Sequence, residues 1–277
     1  MRDWSSLLPD LVRRVADCIL VTSDLDHYMD MWAVCHNWRS ALVDPCSDCA
    51  GVDHPCFRPR HWVMLDEEVE PTDGARLFVN VSTGPFVRRR VPVLQDNILV
   101  GSSDGLLIVG DRKPHHALRV LNPFTGSLLH FMVILPSYRV NVVVAVSHER
   151  PTSLVLGLGC YDFDDPVWSA DPTSKHVRTT YATHSFGPAS MVAHAGHAYM
   201  VDWEASVYEI VWDDCFTYRH WMTQRPDKFV SSEGSEPWEW PTNFLVVSGG
   251  DLLLVRRPRL RWQELSVFYR LKYSYKI

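Results

Sequence analysis

The densest group of side chains that could bind a metal lies between residues 46 and 56. Cys46 and Cys49 form a Cys-x-x-Cys pair, and His54 and Cys56 follow after a short interval. Structural zinc sites use thiolate and imidazole ligands, and Cys-x-x-Cys is a common half-site. The second half is usually another pair roughly 12–20 residues further on, whereas His54 and Cys56 come sooner, with one residue between them. We therefore expect a thiol-rich linker without a metal, with zinc binding as the alternative.

Two further clusters carry titratable side chains, but neither has the spacing of a known catalytic or metal site. His194 and His197 flank an Ala-Gly pair, which favours a tight turn. Asp162, Asp164 and Asp165 lie close together, but the central glycine and final glutamate of a calcium-binding loop are absent. The Gly-Lys-Ser/Thr element of a phosphate-binding loop is absent as well. We expect no catalytic residue, no cofactor and no enzymatic activity.

Composition limits the classes to which the protein can belong. Its 277 residues are enough for one large domain and a small one. The formal charge of −6 disfavours nucleic acid as the main partner, because neutralising phosphates requires a basic surface. No apolar run is long enough to span a membrane, and the first residues lack the apolar core of a secretory signal. We therefore expect a cytoplasmic or nuclear protein whose seven cysteines are mostly reduced.

A repeating pattern of paired strands fills most of the sequence after residue 60. One pair, Asn97–Val109, turns at Asp104-Gly105, and similar pairs turn near Arg150, Gly196 and Gly250. Successive turns are about 45 to 54 residues apart, which is typical of four-stranded β-propeller blades. The pattern predicts a β-propeller-like domain of about four to five blades over residues 61–277, with the segment 265–271 beginning the fifth. A ring of so few blades is either incomplete or closed in an unusual way.

The first 44 residues differ from the rest because their apolar residues follow a helical period. Pro9 and Asp10 are favourable at the start of a helix. A second helical segment starts after Asp24, and a further apolar stripe ends before Pro45. The apolar face of the first helix comprises Leu8, Leu11, Val12, Val15 and Ile19. The sequence therefore predicts a mostly β protein with a small N-terminal α domain at residues 1–44, joined to the β domain by a linker at residues 45–60.

Two short motifs in the helical segment resemble an F-box. Leu8-Pro9 starts the first helix, and Val34-Cys35-His36-Asn37-Trp38-Arg39 follows at the separation typical of that family's Leu-Pro and Val-Cys-x-x-Trp-Arg motifs. The later residues resemble the β-propeller-like domain of plant F-box proteins of the KIB type, which are abundant in cereals. The segments that carry this second resemblance are Gly101–Leu107 and Leu121–Gly126. Members of that family usually run on for longer, so the chain resembles a shortened member.

The resemblance implies a substrate receptor of an SCF-type (cullin-RING) ubiquitin ligase. The F-box three-helix unit would bind a Skp-type adaptor, the propeller would bind an unknown protein substrate, and ubiquitin transfer would belong to other subunits. So small a helical domain buries its apolar side chains poorly on its own. A partner helix would therefore cover the surplus, with Trp38 as a hot spot. The implied adaptor-binding residues are Leu8, Pro9, Leu11, Val12, Val15, Val34, Cys35, Trp38 and Arg39.

Two other interpretations stay open. The propeller could be a binding module or a hydrolase preceded by an incidental helical segment. Carboxylates or histidines at matching places in successive blades would favour that interpretation. The chain could instead be a degenerate family member that binds the adaptor but no target. Nucleic acid and membrane are not expected as partners.

Overall fold

The computed structural model shows a mostly β protein with a small helical region at its N-terminus, as the sequence predicts. The chain divides into two compact units, residues 1–137 and 138–277. No helix in the described part of the chain is long and apolar enough to cross a membrane. The residues that the structure describes are 4–22, 24–45, 55–65, 74–112, 117–134, 141–147, 153–159, 166–172, 178–181, 188–195, 197–202, 205–211, 217–223, 242–248, 250–257 and 267–271.

Three helices form the N-terminal region, and they are α1 (Pro9–Val21), α2 (Leu25–Val34) and α3 (His36–Ala41). Pro9 is the first residue of α1, where its missing N–H costs no hydrogen bond. The predicted first helix is therefore confirmed. Asp24 precedes α2, but its side chain makes no capping hydrogen bond. Its carboxylate instead lies 2.7 Å from Nδ1 of His27.

Two antiparallel sheets follow in the first unit. The first contains β1 (Trp62–Met64), β2 (Ala75–Asn80) and β3 (Phe86–Arg90), paired in that order. A short helix, α4 (Val93–Asp96), leads into a sheet of β4 (Asn97–Ser103), β5 (Leu106–Asp111), β6 (Ala117–Leu121) and β7 (Leu128–Ile134). Asp104 and Gly105 form the predicted β4–β5 turn with φ angles of 53° and 78°. Tight hairpin turns of this kind require positive φ.

The helices share one apolar core with these two sheets. Val12 and Leu25, from α1 and α2, belong to the same buried cluster as Trp62 of β1, Phe78 of β2 and Leu107 of β5. All five side chains are buried, so the cluster extends from the helices through both sheets. The helical region therefore does not complete a core of its own, and its stability depends on the strands that follow it.

Polar and aromatic contacts strengthen this packing. The rings of Tyr28 and Phe57 meet edge to face with their centroids 5.2 Å apart, an arrangement that the quadrupoles of aromatic rings favour. The guanidinium of Arg89 on β3 pairs with the carboxylate of Asp26 on α2. The domain boundaries predicted at residues 44 and 60 stay a prediction, but the helices and the first two sheets form one compact unit.

Three antiparallel sheets make up the described part of the second unit, and in each the strands pair in chain order. The first has β8 (Asn141–Ser147), β9 (Ser153–Gly159), β10 (Pro166–Ala170) and β11 (Arg178–Tyr181). The second has β12 (Pro188–His194), β13 (His197–Asp202), β14 (Ser206–Val211) and β15 (Thr217–Thr223). The third has β16 (Thr242–Ser248), β17 (Asp251–Arg257) and β18 (Val267–Leu271). β12 contacts both β8 and β16, so the first strands of the three sheets are neighbours, as in a propeller.

The last described strand corrects one expectation. The segment 265–271 was predicted to begin a fifth blade, but Val267–Leu271 pairs with β17 as the third strand of the last sheet. Phe268 lies opposite Val255 and Tyr269 lies opposite Leu254. The composition of an apolar segment predicts that it forms a strand. It does not predict which strand it pairs with, because the partner can be remote in sequence. The fifth sheet in the described part of the chain is the one formed by β1, β2 and β3.

A buried polar network links β13 and β14 to the start of β16. The carboxylate of Asp202 accepts hydrogen bonds from the backbone N–H of Ser206, at 2.7 Å, and from the hydroxyl of Tyr208, at 3.1 Å. The side-chain amide of Asn243 donates to the Asp202 carbonyl at 3.0 Å. Because buried polar groups are costly unless they are hydrogen-bonded, this network ties the end of β13 and the start of β14 to the next sheet.

Candidate protein-binding site in the helical region

The apolar face of α1 divides into a buried half and an exposed half. Val12 and Ala16 are 1% and 2% exposed and pack in the core. Leu8, Leu11 and Val15 are 66%, 43% and 47% exposed. Leu11 and Val15 are four positions apart and lie together on one side of the helix. Leu8 is the N-cap residue that directly precedes α1. We call these three exposed apolar side chains the stripe of α1.

The α2–α3 junction holds the second motif. Cys35 lies between the two helices, and its sulfur accepts a 3.5 Å hydrogen bond from the backbone N–H of Trp38, which caps α3. Val34, at the end of α2, is exposed, whereas Cys35 and Trp38 are half-buried. The indole Nε1 of Trp38 donates a 2.9 Å hydrogen bond to the carbonyl of Trp4. The polar edge of Trp38 is therefore already used within the protein, and its ring is partly accessible.

Arg39 is exposed but held in place by α2. Its guanidinium carbon lies 4.5 Å from the centre of the Trp32 ring, and its Nε donates a 3.3 Å hydrogen bond to the Trp32 carbonyl. The flat guanidinium group stacks on aromatic faces and keeps further N–H donors for other partners. The exposed guanidinium of Arg39 is thus held against α2 by Trp32.

The nine residues implied by the F-box resemblance lie in α1 and α3, at the end of α2, or directly beside these helices. Six of the nine are exposed, namely the three stripe residues with Pro9, Val34 and Arg39. Val12, in contrast, is in the core. Trp4 is not among the residues implied by the F-box resemblance. It lies in a 3-10 turn at Trp4–Ser6 and is 62% exposed. A tryptophan shortly before Leu8-Pro9 was the only available signal, and it shows no helical period.

The proposed zinc ligands fall mostly outside the structure's coverage, because Cys46, Cys49 and His54 are not among the described residues. Cys56 is described and half-buried, and burial raises the pKa of its thiol. A thiol that ionises less readily binds a metal less readily. Among the residues that the structure does describe, no three metal-ligating side chains lie close enough to hold an ion.

The histidine pair flanks a turn, as predicted. His194 ends β12 and His197 begins β13, with Ala195 at φ 50° between them. His197 Nδ1 lies 2.9 Å from Oε1 of Glu209, and burial lowers the pKa of His194. These contacts fix the hairpin end. Asp162, Asp164 and Asp165 lie outside the described residues.

One further motif has the spacing of a hydrolase nucleophile but not its setting. Gly101-Ser-Ser-Asp-Gly105 matches the Gly-x-Ser-x-Gly pattern, whose serine stands on a strand-to-helix turn in hydrolases. Here Ser103 is the last residue of β4, it is buried, and a hairpin returns the chain as β5. The motif therefore builds a β-turn.

Comparisons with solved structures show similarity at low sequence identity. Among solved structures, the chain is similar to a protein of unknown function from Bacteroides thetaiotaomicron VPI-5482, with a TM-score of 0.38, 14% identity and coverage of 71% of this chain and 50% of that one. It is also similar to BamB from Moraxella catarrhalis, with a TM-score of 0.36, 13% identity and coverage of 67% of this chain and 50% of that one. A third similar structure is BBS1N in complex with ARL6DN, with a TM-score of 0.35, 12% identity and coverage of 67% of this chain and 56% of that one. The chain thus spans about half the length of each structure.

No curated protein matches the chain in sequence. The family model described as KIB1-4 beta-propeller matches residues 78–275, which is more than half of the chain. This match confirms the predicted KIB-type propeller, whereas the F-box and the plant source stay predictions. The protein belongs to the KIB1-4 beta-propeller family.

Proposed function

We propose that the protein is the substrate-recognition subunit of an SCF-type ubiquitin ligase, a cullin-RING enzyme. In this proposal the helical region is an F-box that binds a Skp-type adaptor, and the propeller binds the protein to be modified. The observation that carries the proposal is the surface stripe of α1, because Leu8, Leu11 and Val15 stay exposed beside a well-formed core. The resemblance of the flanking motifs to an F-box supports the same partner.

The stripe has the form that helix-to-helix recognition uses. Apolar residues at spacings of three and four present one continuous ridge, which suits the groove between helices of a partner. Covering partly exposed Leu and Val side chains stabilises a complex by roughly 0.5–1.5 kcal/mol each. Arg39, held over Trp32, would add an ion pair at the rim of this contact. Such rim pairs mainly improve specificity and association rate.

The family to which the β domain belongs supports a role in protein interaction. Propeller blades are rigid sheets, so the loops between them can vary in sequence without loss of the fold. We propose that these loops bind the target, and that the subunit itself transfers no ubiquitin. The net charge of −6 agrees with a protein target rather than a nucleic acid.

The test is binding of the full chain to a purified Skp-type adaptor, measured by calorimetry. The full chain is needed because the helices share their core with the sheets. We expect saturable one-to-one binding that Pro9→Ala combined with Trp38→Ala abolishes. Leu11→Ser combined with Val15→Ser gives a second loss-of-binding variant that changes only exposed side chains. The control is Val21→Ser, since Val21 is exposed at the far end of α1. Absence of binding by the unmodified chain would contradict the proposal.

A further inference from the structure

The 3-10 turn at Trp4–Ser6 combines an exposed tryptophan with a fixed backbone. Trp4 is 62% exposed, although tryptophan is usually largely buried. The indole of Trp38 donates a hydrogen bond of 2.9 Å to the Trp4 carbonyl. The side-chain amide of Asn37 donates a second bond, of 3.3 Å, to the Ser5 carbonyl. Two side chains of α3 therefore hold a turn whose largest side chain remains in solvent.

The turn is continuous with the proposed adaptor-binding surface. The backbone N–H of Leu7 donates to the Trp4 carbonyl at 3.3 Å, and Leu8, the next residue, begins the exposed stripe of α1. Trp38, which holds the turn, is itself one of the residues implied in adaptor binding. The Trp4 side chain therefore extends the proposed surface beyond the Leu-Pro motif.

We infer that Trp4 is an additional anchor for the Skp-type adaptor and that it inserts into an apolar pocket of that protein next to the stripe. This inference rests on the proposed function. A large aromatic side chain on a pre-ordered backbone loses little conformational entropy on binding, which is why tryptophan is enriched among interface hot spots. Trp38 acts on Trp4 as a positioning residue through its indole N–H.

The contacts that order the turn allow the Trp4 side chain and the hydrogen bonds that hold the turn to be removed separately. Both hydrogen bonds from α3 end on backbone carbonyls, so Trp4→Ala removes the indole and keeps the bonds that hold the turn. Trp38→Phe does the opposite, because it keeps an aromatic ring but removes the donor. If Trp38 acts by placing Trp4, the loss caused by Trp38→Phe becomes smaller in the Trp4→Ala background.

The experiment compares adaptor affinities of full-length variants by calorimetry. We expect Trp4→Ala to weaken binding roughly 10- to 100-fold, the range of a hot-spot residue. Trp4→Phe should keep binding within about fivefold, because it preserves an aromatic anchor. Val21→Ala, a change at another exposed apolar residue of the helical region, should bind like the unmodified chain. Thermal unfolding of each variant reports whether the fold is kept.

A second measurement needs no substitution. Hydroxyl-radical footprinting of the unmodified chain, with and without adaptor, should show Trp4 protected at least fivefold and Phe86 unchanged. Phe86 is a suitable internal control because it is 63% exposed and lies on β3. The inference would be overturned if Trp4→Ala bound with normal affinity or if Trp4 were not protected from the radicals. The proposed function would remain intact in either case if Pro9→Ala combined with Trp38→Ala still abolished binding. An unmodified chain that does not bind would overturn both.

Discussion

The side-chain amide of Asn122 donates a 2.6 Å hydrogen bond to the main-chain carbonyl of Phe57. In the same β6–β7 turn, the hydroxyl of Ser127 donates a 3.0 Å bond to the carbonyl of Pro45. One turn of the second sheet thus holds both ends of the connection between the helices and the sheets. Since the helices share their core with β1, β2 and β5, this connection helps to place α1 and its exposed stripe on the sheets.

Asn122→Ala should destabilise the protein by about 2–3 kcal/mol. Asn122 is completely buried, and its side-chain oxygen also accepts hydrogen bonds from the backbone N–H groups of Phe124 and Thr125. The substitution removes three buried hydrogen bonds, and each typically contributes about 0.5–1.5 kcal/mol to the free energy of unfolding. Urea denaturation followed by tryptophan fluorescence measures the change.

The control for this prediction is Asn37→Ala. Asn37 is exposed and makes a 3.3 Å bond to the Ser5 carbonyl, so its removal should change the free energy of unfolding by less than about 0.5 kcal/mol. Equal effects of the two substitutions would show that the β6–β7 turn does not fix the connection.

Gly105 and Gly126 form a natural matched pair for separating backbone strain from steric clash. Their φ angles are 78° and 77°. A Cβ at Gly105 would lie 2.1 Å from the carbonyl oxygen of Pro59, whereas a Cβ at Gly126 would meet nothing within 4 Å. Gly126→Ala should cost about 1–2 kcal/mol from the left-handed backbone alone. Gly105→Ala should cost at least about 2 kcal/mol more, because the 58–60 segment must move. Thermal unfolding of both variants gives the comparison, and similar losses would argue against the close approach.

Ionisation of Tyr28 should destabilise the protein at alkaline pH. Burial raises the pKa of Tyr28 from 10.0 to about 12, and the nearby Cys56 thiolate adds to the rise. Folding therefore disfavours the phenolate. The contribution of Tyr28 to the free energy of unfolding is full below pH 10 and falls as the pH rises from 10 towards 12. Between pH 9 and pH 11 this pKa difference lowers the free energy of unfolding by roughly 1.4 kcal/mol.

Tyr28→Phe isolates this effect from the other tyrosines and lysines. The variant loses the 2.9 Å hydrogen bond from the Tyr28 hydroxyl to the Val43 carbonyl, so at pH 9 it should be about 1 kcal/mol less stable. At pH 11 the unmodified chain should have lost this advantage. Urea denaturation at both pH values measures the difference, and an unchanged advantage at pH 11 would show that Tyr28 is not buried in this way.

The sequence predicts those elements whose signal is local. The Asp104-Gly105 turn was predictable because few residues tolerate positive φ, and the strands on either side have apolar runs of ordinary strand length. The start of α1 at Pro9 was predictable for a similar reason, since proline fits the first turn of a helix and few other places in it. The hairpins of the second unit followed from the same kind of pattern.

Features that depend on remote contacts were not predictable. The helical period groups Val12 with Leu8 and Val15. Which side of that face is buried depends on packing against strands that come much later in the chain, from Trp62 onward. The partner of Val267–Leu271 likewise depends on where the preceding hairpin lies. Trp4 precedes any periodic segment, and its role depends on hydrogen bonds from Asn37 and Trp38, which are more than 30 residues away.

Val12 and Val15 provide a final prediction, because they are the same residue type on the same helix in opposite environments. Val12 is 1% exposed and Val15 is 47% exposed. Val12→Ala should cost about 2 kcal/mol of stability, because it leaves a cavity in the core shared with the sheets. Val15→Ala should change stability by less than about 0.5 kcal/mol. Any gain in helix propensity from valine to alanine is similar at both positions and cancels in the comparison.

The same pair separates folding from recognition. Val15→Ala should weaken adaptor binding by about 3- to 10-fold, because a side chain in the exposed stripe loses its contact. Val12→Ala should bind with normal affinity wherever the variant is fully folded, since no adaptor residue can reach a side chain in the core. Urea denaturation gives the free energy of unfolding of each variant, and calorimetric titration gives its affinity for the adaptor. Normal binding by Val15→Ala would contradict the stripe as the binding surface. Weaker binding by folded Val12→Ala would show that affinity depends on the core behind α1.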